Sequence, residues 1–332
     1  MKNFIGITIG DPSGIGPEVS IKAVLFFLKQ THNFYPVLIG DIAVLKRNLD
    51  MIKGKYILEK WNTNIIPHKE SIYYLSPGII KSDKFIIGQD NPLSGTASYE
   101  YFKLGWDLLK KNKITGLMTA PISKTAWQMA GINFKGHTDA LKTFSGQDVE
   151  MLMVAGEIRV LLVSTHVPLK KIWDVISIDR IYNSTIKTVQ FLRKVFIIGK
   201  ENVGMCGLNP HAGESGYLGS EENEILIPAI NKLKENGVNI EGPFPSDAIF
   251  RKSIQDKHFD LIVALYHDQA LIPLKTFFFN KLVNVSANLN WCRTSPGHGT
   301  GYDIAYQNKA NPSSTIEAIK LVVKISKKIN DR

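Results

Sequence analysis

Apolar runs of strand length alternate with amphipathic helical patterns along the whole chain, and no other feature restricts the fold as strongly. This alternation predicts an α/β fold with a mainly parallel sheet. The candidate strands are residues 4–9, 36–39, 116–119, 150–155, 160–164, 203–208, 261–265 and 282–285. The candidate helices are residues 18–29, 98–111, 181–194 and 222–235, together with a last helix that follows a Ser314–Glu317 capping pattern.

The length of 332 residues allows one large unit or two lobes around a cleft, and we expect two lobes. The sequence has no internal repeat, low-complexity tract or flexible linker. The lobes must therefore be divided by chain crossings. We predict a first lobe of residues 1–130 and 295–332, and a second lobe of residues 131–294.

The composition is that of an ordinary globular protein, with 44% hydrophobic and 21% charged residues. The first apolar run is short and is followed by Asp11, which fits neither a signal peptide nor a membrane span, so we expect a cytoplasmic protein without a membrane partner. Cys206 and Cys292 are too few for a disulfide framework, and we expect reduced, partly buried thiols.

Basic residues exceed acidic ones by 40 − 30 = 10. Such a surplus can indicate nucleic acid, an anionic membrane or anionic small molecules as partners. The Lys and Arg residues are scattered, without an aromatic-interleaved stripe or a helix-turn-helix pattern. We therefore expect no nucleic-acid partner, and a nucleic-acid-binding module is the least favoured of the functions considered.

Three histidines stand in the same structural context, since His166, His211 and His267 each follow an apolar candidate strand. The carboxyl ends of parallel strands open onto the ligand crevice of such folds, so three separate stretches deliver an imidazole to one region. Three neutral imidazoles with open positions suit Zn²⁺, Co²⁺, Ni²⁺ or Mn²⁺. Each histidine alone is better explained as an ordinary interfacial residue, and sequence separation does not prove that the three converge.

The segment GDPSGIGPE at residues 10–18 follows the first candidate strand and opens a helix. It is not the GxGxxG fingerprint of dinucleotide-binding folds, and it lacks the GK[ST] of a phosphate-binding loop. We predict a tight turn here, and we expect any cofactor site to be built differently.

Several segments carry side chains suited to anions. Arg293 offers a planar guanidinium, and His137 and Thr138 begin a candidate helix whose N-terminus favours anions. Asp247 and Asp268 are the carboxylates expected near a metal, either as an acid or base or as a partner that orients a histidine. Local turn capping is the alternative interpretation of the anion segments.

Taken together, these motifs resemble one family over nearly the whole chain. They are GDPSGIGPE, TAPISK, GHTDAL, STHVPL, NPHAGESGYLGSEE, GPFPSDAIF, YHDQALIPLK and RTSPGHGTGYDIA. They are similar to 4-hydroxythreonine-4-phosphate dehydrogenases of vitamin B6 biosynthesis. The resemblance implies a two-lobed α/β subunit of the isocitrate and isopropylmalate dehydrogenase-like group, with mainly parallel sheets and an active-site cleft between the lobes.

By this resemblance, the metal ligands are His166, His211 and His267. The residues that the resemblance implies as substrate contacts are His137, Thr138, Lys275, Asn284 and Arg293. The resemblance also implies a homodimer with a shared active site, in which the second lobe carries the metal ligands and the dimer interface. The chain departs from the family pattern at Asp139, Gly297, Gly301 and Tyr302.

The implied reaction is the oxidation of 4-phosphooxy-L-threonine to a 3-oxo acid, which decarboxylates to 3-amino-2-oxopropyl phosphate. The implied cofactors are NAD, or alternatively NADP, and a divalent ion such as zinc, cobalt, magnesium or manganese. The alternatives are a dehydrogenase of 4-phospho-threonate or 4-phospho-erythronate, and a phosphate acyltransferase of related fold. The residues that bind the cofactor are not identified at this level.

Overall fold

The computed structural model describes residues 3–53, 56–68, 71–196 and 200–330. In chain order its strands are β1 (Phe4–Thr8), β2 (Tyr35–Ile39), β3 (Ile57–Lys60), β4 (Ser71–Leu75), β5 (Gly116–Thr119), β6 (Glu150–Ala155), β7 (Ile158–Leu162), β8 (Val203–Cys206), β9 (Ile240–Phe244), β10 (Leu261–Ala264), β11 (Val283–Ala287) and β12 (Arg293–Pro296). Its helices are α1 (Gly16–Leu28), α2 (Ile42–Ile52), α3 (Pro92–Lys110), α4 (Lys124–Met129), α5 (His137–Ser145), α6 (Ile178–Val195), α7 (Ile227–Glu235), α8 (Ser246–Asp256), α9 (His267–Phe278) and α10 (Ser313–Asn330).

The chain divides into two compact units, and the first is built from two separate stretches. The first unit contains Met1–Gly146 and Asn290–Arg332, and the second contains Gln147–Leu289. The lobe boundaries predicted from the sequence lie at residues 130 and 294 instead. With the observed boundary at Gly146, helix α5 belongs to the first unit rather than to the second.

The first unit has six strands in the order β3-β4-β2-β1-β5-β12, and all neighbours in it run parallel. Strands β1, β5 and β12 are buried along their whole length. This is why the sequences of β1 and β5 are continuous apolar runs, as expected for parallel strands covered on both faces. The parallel sheet predicted from the sequence is confirmed for this unit.

The second unit has six strands in the order β11-β6-β7-β10-β8-β9. Strands β11, β6 and β7 pair antiparallel, whereas β7, β10, β8 and β9 pair parallel. A cluster of buried apolar residues that includes Leu162, Phe250 and Leu274 packs α8 and α9 against this sheet. The carboxyl ends of β7, β10 and β8 therefore lie side by side at one edge.

All eight predicted strands are present, with ends within two residues of the predicted ones. Three helix predictions need correction. Helix α3 begins at Pro92, six residues before the predicted start at residue 98. Residues 222–235 are divided into a π-helical turn, Glu222–Leu226, and helix α7. Helix α10 begins at Ser313, so Ser314 lies inside its first turn, and its hydroxyl accepts a hydrogen bond from the amide of Gly297 (3.1 Å).

Both cysteines are buried thiols without a disulfide partner. Burial raises the pKa of Cys206 to about 12, and it raises the pKa of Cys292 well above its ordinary value. None of the helices formed by the described residues combines the length and the apolar character that a membrane-spanning helix requires.

Candidate active site

The three histidines follow three adjacent parallel strands of the second unit. His166 comes after β7, His267 after β10, and His211 after β8, and β10 pairs with both of the other strands. The sheet topology therefore delivers the three segments to the same edge, as the strand pattern of the sequence predicts.

His166 and His267 lie next to each other. Their ring centroids are 5.8 Å apart, and the ring planes are inclined by 39°. Two imidazoles that bind one tetrahedral ion through nitrogens at about 2 Å have centroids roughly 5–6 Å apart. Together with Thr165 and Tyr266, the pair lines a cavity of about 220 Å³. The spacing and the open space beside the rings fit a shared metal ion.

Asp268 orients the ring of His267. The Nδ1 atom of His267 is 2.6 Å from Oδ1 of Asp268. When Nδ1 donates its proton to this carboxylate, Nε2 keeps its lone pair and can act as a metal ligand. Helix α9 begins at His267, so the backbone holds the two neighbouring side chains in a fixed relation. Histidines that bind metals in proteins commonly have a carboxylate partner of this kind.

His211 is not brought to the other two histidines. Its side chain is 73% exposed, and its Nδ1 atom is 3.8 Å from Oε2 of Glu214. Within the described parts of the chain, no three His, Cys, Asp or Glu side chains are placed to hold one metal ion together. The structure thus assembles two of the three predicted ligands.

The segment that carries His211 has an unusual backbone. His211, Ala212, Glu214 and Ser215 all have φ between 43° and 58°, the left-handed region. This conformation costs roughly 1–2 kcal/mol for each residue that has a Cβ atom. Strain of this kind persists only where the surrounding structure enforces it, and it concentrates at functional sites.

Glu222 binds the two residues, Leu208 and Asn209, that lead into this segment. It is 2% exposed, and its Oε1 atom accepts hydrogen bonds from the amides of Leu208 (2.8 Å) and Asn209 (2.7 Å). Its Oε2 atom accepts a third from Nδ2 of Asn209 (2.9 Å). Burial raises the pKa of Glu222, but the bonds from Asn209 and Leu208 outweigh it, and the net shift is downward. Sequence analysis missed this role.

Asp247 and Asp268 line a second, larger cavity of about 670 Å³ between α8 and α9. Both carboxylates are exposed to solvent. Gln269 on its wall binds the amide of Leu265 (2.6 Å) and the carbonyl of Gly207 (2.7 Å), and so connects the ends of β10 and β8. The structure therefore places Asp268 beside both cavities and Asp247 beside one. The polar Gln269, directly before the apolar Ala270 and Leu271 in YHDQAL, is the signal that could have identified it.

The first unit carries a separate group of anion-binding candidates. Arg293 is buried, its Nη2 and Nε atoms donate to Oγ1 of Thr119 (2.6 and 3.1 Å), and burial lowers its pKa to about 9. His137 opens α5 and packs against the rings of Phe102 and Trp127.

Burial and the charge of Arg293 lower the pKa of His137 well below its ordinary value, so its ring is neutral at neutral pH. Its Nε2 atom is buried, and no described residue hydrogen-bonds to it. Thr138 is the next residue of α5 and is half-buried. A neutral imidazole, a buried guanidinium and a helix N-terminus together suit a phosphate or a carboxylate.

Lys275 and Asn284 lie in the second unit. Lys275 is exposed on α9, roughly 12 Å along the helix axis from His267 at the usual rise per residue. Asn284 is half-buried in β11, opposite Met153 of β6. The two residues thus lie on different elements of the unit that also carries the histidines.

Four amides of the turn of residues 10–16 are already bonded within the protein. Its Gly10 has φ of 71°, and a Cβ atom there would lie 2.2 Å from the carbonyl oxygen of Pro121. Backbone or side-chain oxygens accept these four amides, and two of the bonds join the turn to Pro121 and Thr300 of the same unit. The bonds are Asp11 N to Pro121 O (2.8 Å), Ser13 N to Asp11 Oδ1 (2.8 Å), Gly14 N to Asp11 O (3.1 Å) and Ile15 N to Thr300 O (2.8 Å).

Comparison with known proteins places this chain in a family. The family model described as "Pyridoxal phosphate biosynthetic protein PdxA" matches residues 32–322. A relative from Desulforapulum autotrophicum named 4-hydroxythreonine-4-phosphate dehydrogenase is 36% identical over 324 residues, which cover 96% of this chain and 94% of the relative. A relative from Salmonella typhimurium named D-threonate 4-phosphate dehydrogenase is 35% identical over 332 residues, which cover 97% and 98%.

Solved structures agree with these relatives. The crystal structure of 4-hydroxythreonine-4-phosphate dehydrogenase from Klebsiella pneumoniae has a TM-score of 0.86 at 30% identity and covers 98% of both chains. An isocitrate dehydrogenase from Methylococcus capsulatus, with a TM-score of 0.50 at 11% identity over 98% and 87% of the chains, shares the fold alone. The predicted isocitrate dehydrogenase-like α/β fold is confirmed. The chain belongs to the PdxA family of pyridoxal phosphate biosynthetic proteins, and it is a dehydrogenase, an oxidoreductase that acts on CH–OH groups.

Proposed function

We propose that the protein uses NAD to oxidise 4-phosphooxy-L-threonine to a 3-oxo acid, which decarboxylates to 3-amino-2-oxopropyl phosphate in pyridoxal 5′-phosphate biosynthesis. The observation that carries this proposal is the pair of His166 and His267, 5.8 Å apart at the ends of adjacent parallel strands, with Asp268 bonded to His267. The family of the chain and the names of its relatives supply the reaction class.

His166, His211 and His267 would hold a divalent metal ion. The adjacent rings of His166 and His267 would supply two of the ligand positions. Imidazole nitrogens suit zinc and cobalt better than magnesium, which prefers oxygen ligands. When bound, such an ion supplies Lewis-acid stabilisation of the negative charge that develops on the substrate during oxidation and decarboxylation. His211, whose side chain is exposed, would supply the third position.

The chain's own residues would bind the two anionic ends of the substrate. Arg293, His137 and Thr138 present a guanidinium, an imidazole with a buried Nε2 atom and a helix N-terminus. Lys275 adds a mobile positive charge, and Asn284 adds an amide. Binding energy from the phosphate, which is remote from the reacting carbon, can hold the hydroxyl group in the reactive orientation.

Proton transfer needs an acceptor for the substrate hydroxyl. Asp268 is occupied by Nδ1 of His267 and has an orienting role in this proposal. Asp247 is exposed and lines the 670 Å³ cavity, which shares Tyr266 and Asp268 with the cavity of the two histidines, and this proposal assigns it the role of acid or base. Its replacement by Asn would lower kcat more than it raises KM, because proton transfer belongs to the chemical step.

The alternative substrate is D-threonate 4-phosphate, because the relative named for that activity is as similar to this chain as the relative named for 4-hydroxythreonine 4-phosphate. The two acids differ in the group beside the reacting carbon. A comparison of kcat/KM for both substrates, and for 4-phospho-erythronate, separates the two activities. Inclusion of NADP beside NAD in the same assays measures the cofactor preference.

The experiment that tests the proposal is an assay of NADH formation with these acids, before and after removal of divalent ions by a chelator. We expect NADH formation that disappears on chelation and returns with zinc, cobalt or manganese. No NADH with any phosphorylated four-carbon hydroxy acid would refute the proposal. Turnover of acetyl phosphate with coenzyme A would support the acyltransferase alternative instead, and we expect none.

A further inference from the structure

One hydroxyl group in the first unit lies between two carboxylates. The Tyr302 oxygen is 2.7 Å from Oδ2 of Asp11 and 2.9 Å from Oδ1 of Asp90. A phenol carries one proton, and an ionised carboxylate only accepts hydrogen bonds. Tyr302 supplies one proton, so a second proton in the cluster would give each of the two short contacts a hydrogen of its own.

Asp11 is the carboxyl group that is better placed to carry this proton. It is fully buried, and burial raises its pKa above the ordinary value of 3.8. Its Oδ1 atom accepts from the amide of Ser13 (2.8 Å), which leaves Oδ2 to face Tyr302. Asp90 is half-buried, and its Oδ1 atom also accepts from the hydroxyl of Ser123. The order of donation is thus from Asp11 to Tyr302, and from Tyr302 to Asp90.

The cluster joins two segments that are far apart in the sequence. Asp11 belongs to the turn of residues 10–16, and Tyr302 belongs to the loop of residues 297–306, which follows strand β12 and its Arg293. We propose that Asp11, Tyr302 and Asp90 form a proton-sharing latch that holds this loop on the turn, and that the latch loosens when the cluster loses its second proton.

Two further bonds between the same segments carry no titratable proton in this range. The amide of Ile15 donates to the carbonyl of Thr300 (2.8 Å), and the hydroxyl of Tyr306 donates to the carbonyl of Pro12 (2.8 Å). They keep the loop near the turn when the latch is loose. The proton-sharing latch therefore changes the stability of the closed loop rather than its path.

The charged groups around the latch determine its response to pH. Burial raises the pKa of Asp11, and the hydrogen bonds from Tyr302, Ser13 and Ser94 lower it. The negative charge of Asp90 raises it further. Tyr306 faces Asp11 from the same loop, and it is itself faced by Arg47, 5.2 Å from its ring, and by Glu18.

The sign of the pH dependence follows from these contacts. A carboxyl group whose pKa is raised in the closed loop favours that state at acidic pH, and the advantage is lost as pH rises from the ordinary value towards the raised one. The pKa of this carboxyl group is higher in the closed loop than in the open loop. For each unit of that difference, loss of the proton makes loop opening about tenfold more frequent.

Amide hydrogen exchange of residues 299–306, followed by mass spectrometry from about pH 5 to about pH 9 and corrected for the intrinsic pH dependence of exchange, tests the latch. We expect wild-type protection to fall as pH rises, by about tenfold for each unit by which the pKa differs between the closed and the open loop. Asp11→Asn leaves a single carboxylate and can donate from its amide to Tyr302. Its protection should equal the acidic wild-type value at every pH.

Asp90→Asn is the second variant, because it also leaves one carboxylate and its half-buried site tolerates replacement more readily. It should remove the pH dependence as well. Tyr306→Phe is the matched control, since it deletes a hydroxyl that joins the same loop to the same turn without touching a carboxylate. We expect it to lower protection at every pH and to keep the wild-type pH dependence.

Three results would overturn the latch. These are a wild-type loop without pH dependence, an unchanged dependence in both aspartate variants, or a dependence that Tyr306→Phe abolishes. The exchange experiment needs no substrate or cofactor, so its outcome is independent of the proposed reaction.

Discussion

Individual side chains at the strand ends have separate, measurable roles, and Asp268 is the first. Its carboxylate is 2.6 Å from Nδ1 of His267, where it fixes the ring orientation. Asp268→Asn should lower the affinity for zinc or cobalt about 10- to 100-fold, the usual effect of removing the partner of a metal-binding histidine. Isothermal titration of the metal-free protein measures this affinity directly.

Asp247→Asn provides the matched control for this measurement. Asp247 shares the 670 Å³ cavity with Asp268 but is not bonded to a histidine. Its replacement should leave metal affinity within about twofold, well inside the effect expected for a true histidine partner. Equal affinities in wild type and Asp268→Asn would show that Asp268 does not orient the ligand.

His137 should make the protein sensitive to acid. Burial and Arg293 hold its pKa well below 6.5, so the folded protein keeps the ring neutral while the unfolded chain takes up a proton. The free energy of unfolding should therefore decrease as pH falls below about 6.5, by up to about 1.4 kcal/mol per pH unit. His137→Gln should reduce this slope in urea denaturation experiments performed at several pH values.

The exposed His68 supplies the comparison, because it lies in the same unit and its ring is in solvent. His68→Gln should keep the wild-type slope. If His137→Gln also kept it, the ring of His137 would not be held neutral by its surroundings.

At the scale of elements, the left-handed segment of residues 211–215 depends on the π-helical turn that follows it. Glu222 of this turn accepts three hydrogen bonds from Leu208 and Asn209. Glu222→Ala should lower the free energy of unfolding by about 2–4 kcal/mol, because it leaves two backbone amides without their charged acceptor. Chemical denaturation of the metal-free protein measures the loss.

The neighbouring Glu221 is a matched control for that substitution. It bonds only to Nδ2 of Asn209 (2.6 Å) among the contacts described for this segment, and it is half-buried. Glu221→Ala should cost less than about 1 kcal/mol. A similar loss in both variants would mean that Glu222 has no special role in holding the His211 segment.

The elements that the sequence predicts well are those whose sequences are continuous apolar runs. Strands covered on both faces, such as β5 and β10, are apolar throughout and stand out from their neighbours. Strand β12 begins with Arg293 and consists largely of polar residues, so its sequence indicates an anion-binding loop rather than a buried strand. Strand β9 contains Gly242 and Pro243, which favour a turn. Tertiary pairing overrides both local patterns.

The candidate site also contains one feature that the sequence predicts and one that it does not. The position of three histidines at strand ends follows from the topology, and the contact between His166 and His267 agrees with it. The left-handed conformation of the His211 segment could not be predicted, because the residues that lead into it, Leu208 and Asn209, are held by Glu222 from outside the segment. Local sequence does not reveal a bond that forms only in the fold.

At the scale of the whole molecule, we expect a homodimer whose active sites are shared between subunits. Sedimentation should then give twice the chain mass of 37.1 kDa. His267→Ala and Arg293→Ala should each be inactive alone, whereas a mixture allowed to exchange subunits should regain up to about a quarter of wild-type activity, since half the dimers carry one intact site. No recovery despite exchange would place both residues in one subunit's site.

Both thiols of the molecule are buried, and burial holds them in the protonated, unreactive form. Maleimide and iodoacetamide reagents should therefore leave the native protein unmodified near neutral pH. A single cysteine introduced on the surface would then be the only labelled position, and fluorophore or spin-label distances between subunits could be measured without first removing Cys206 or Cys292.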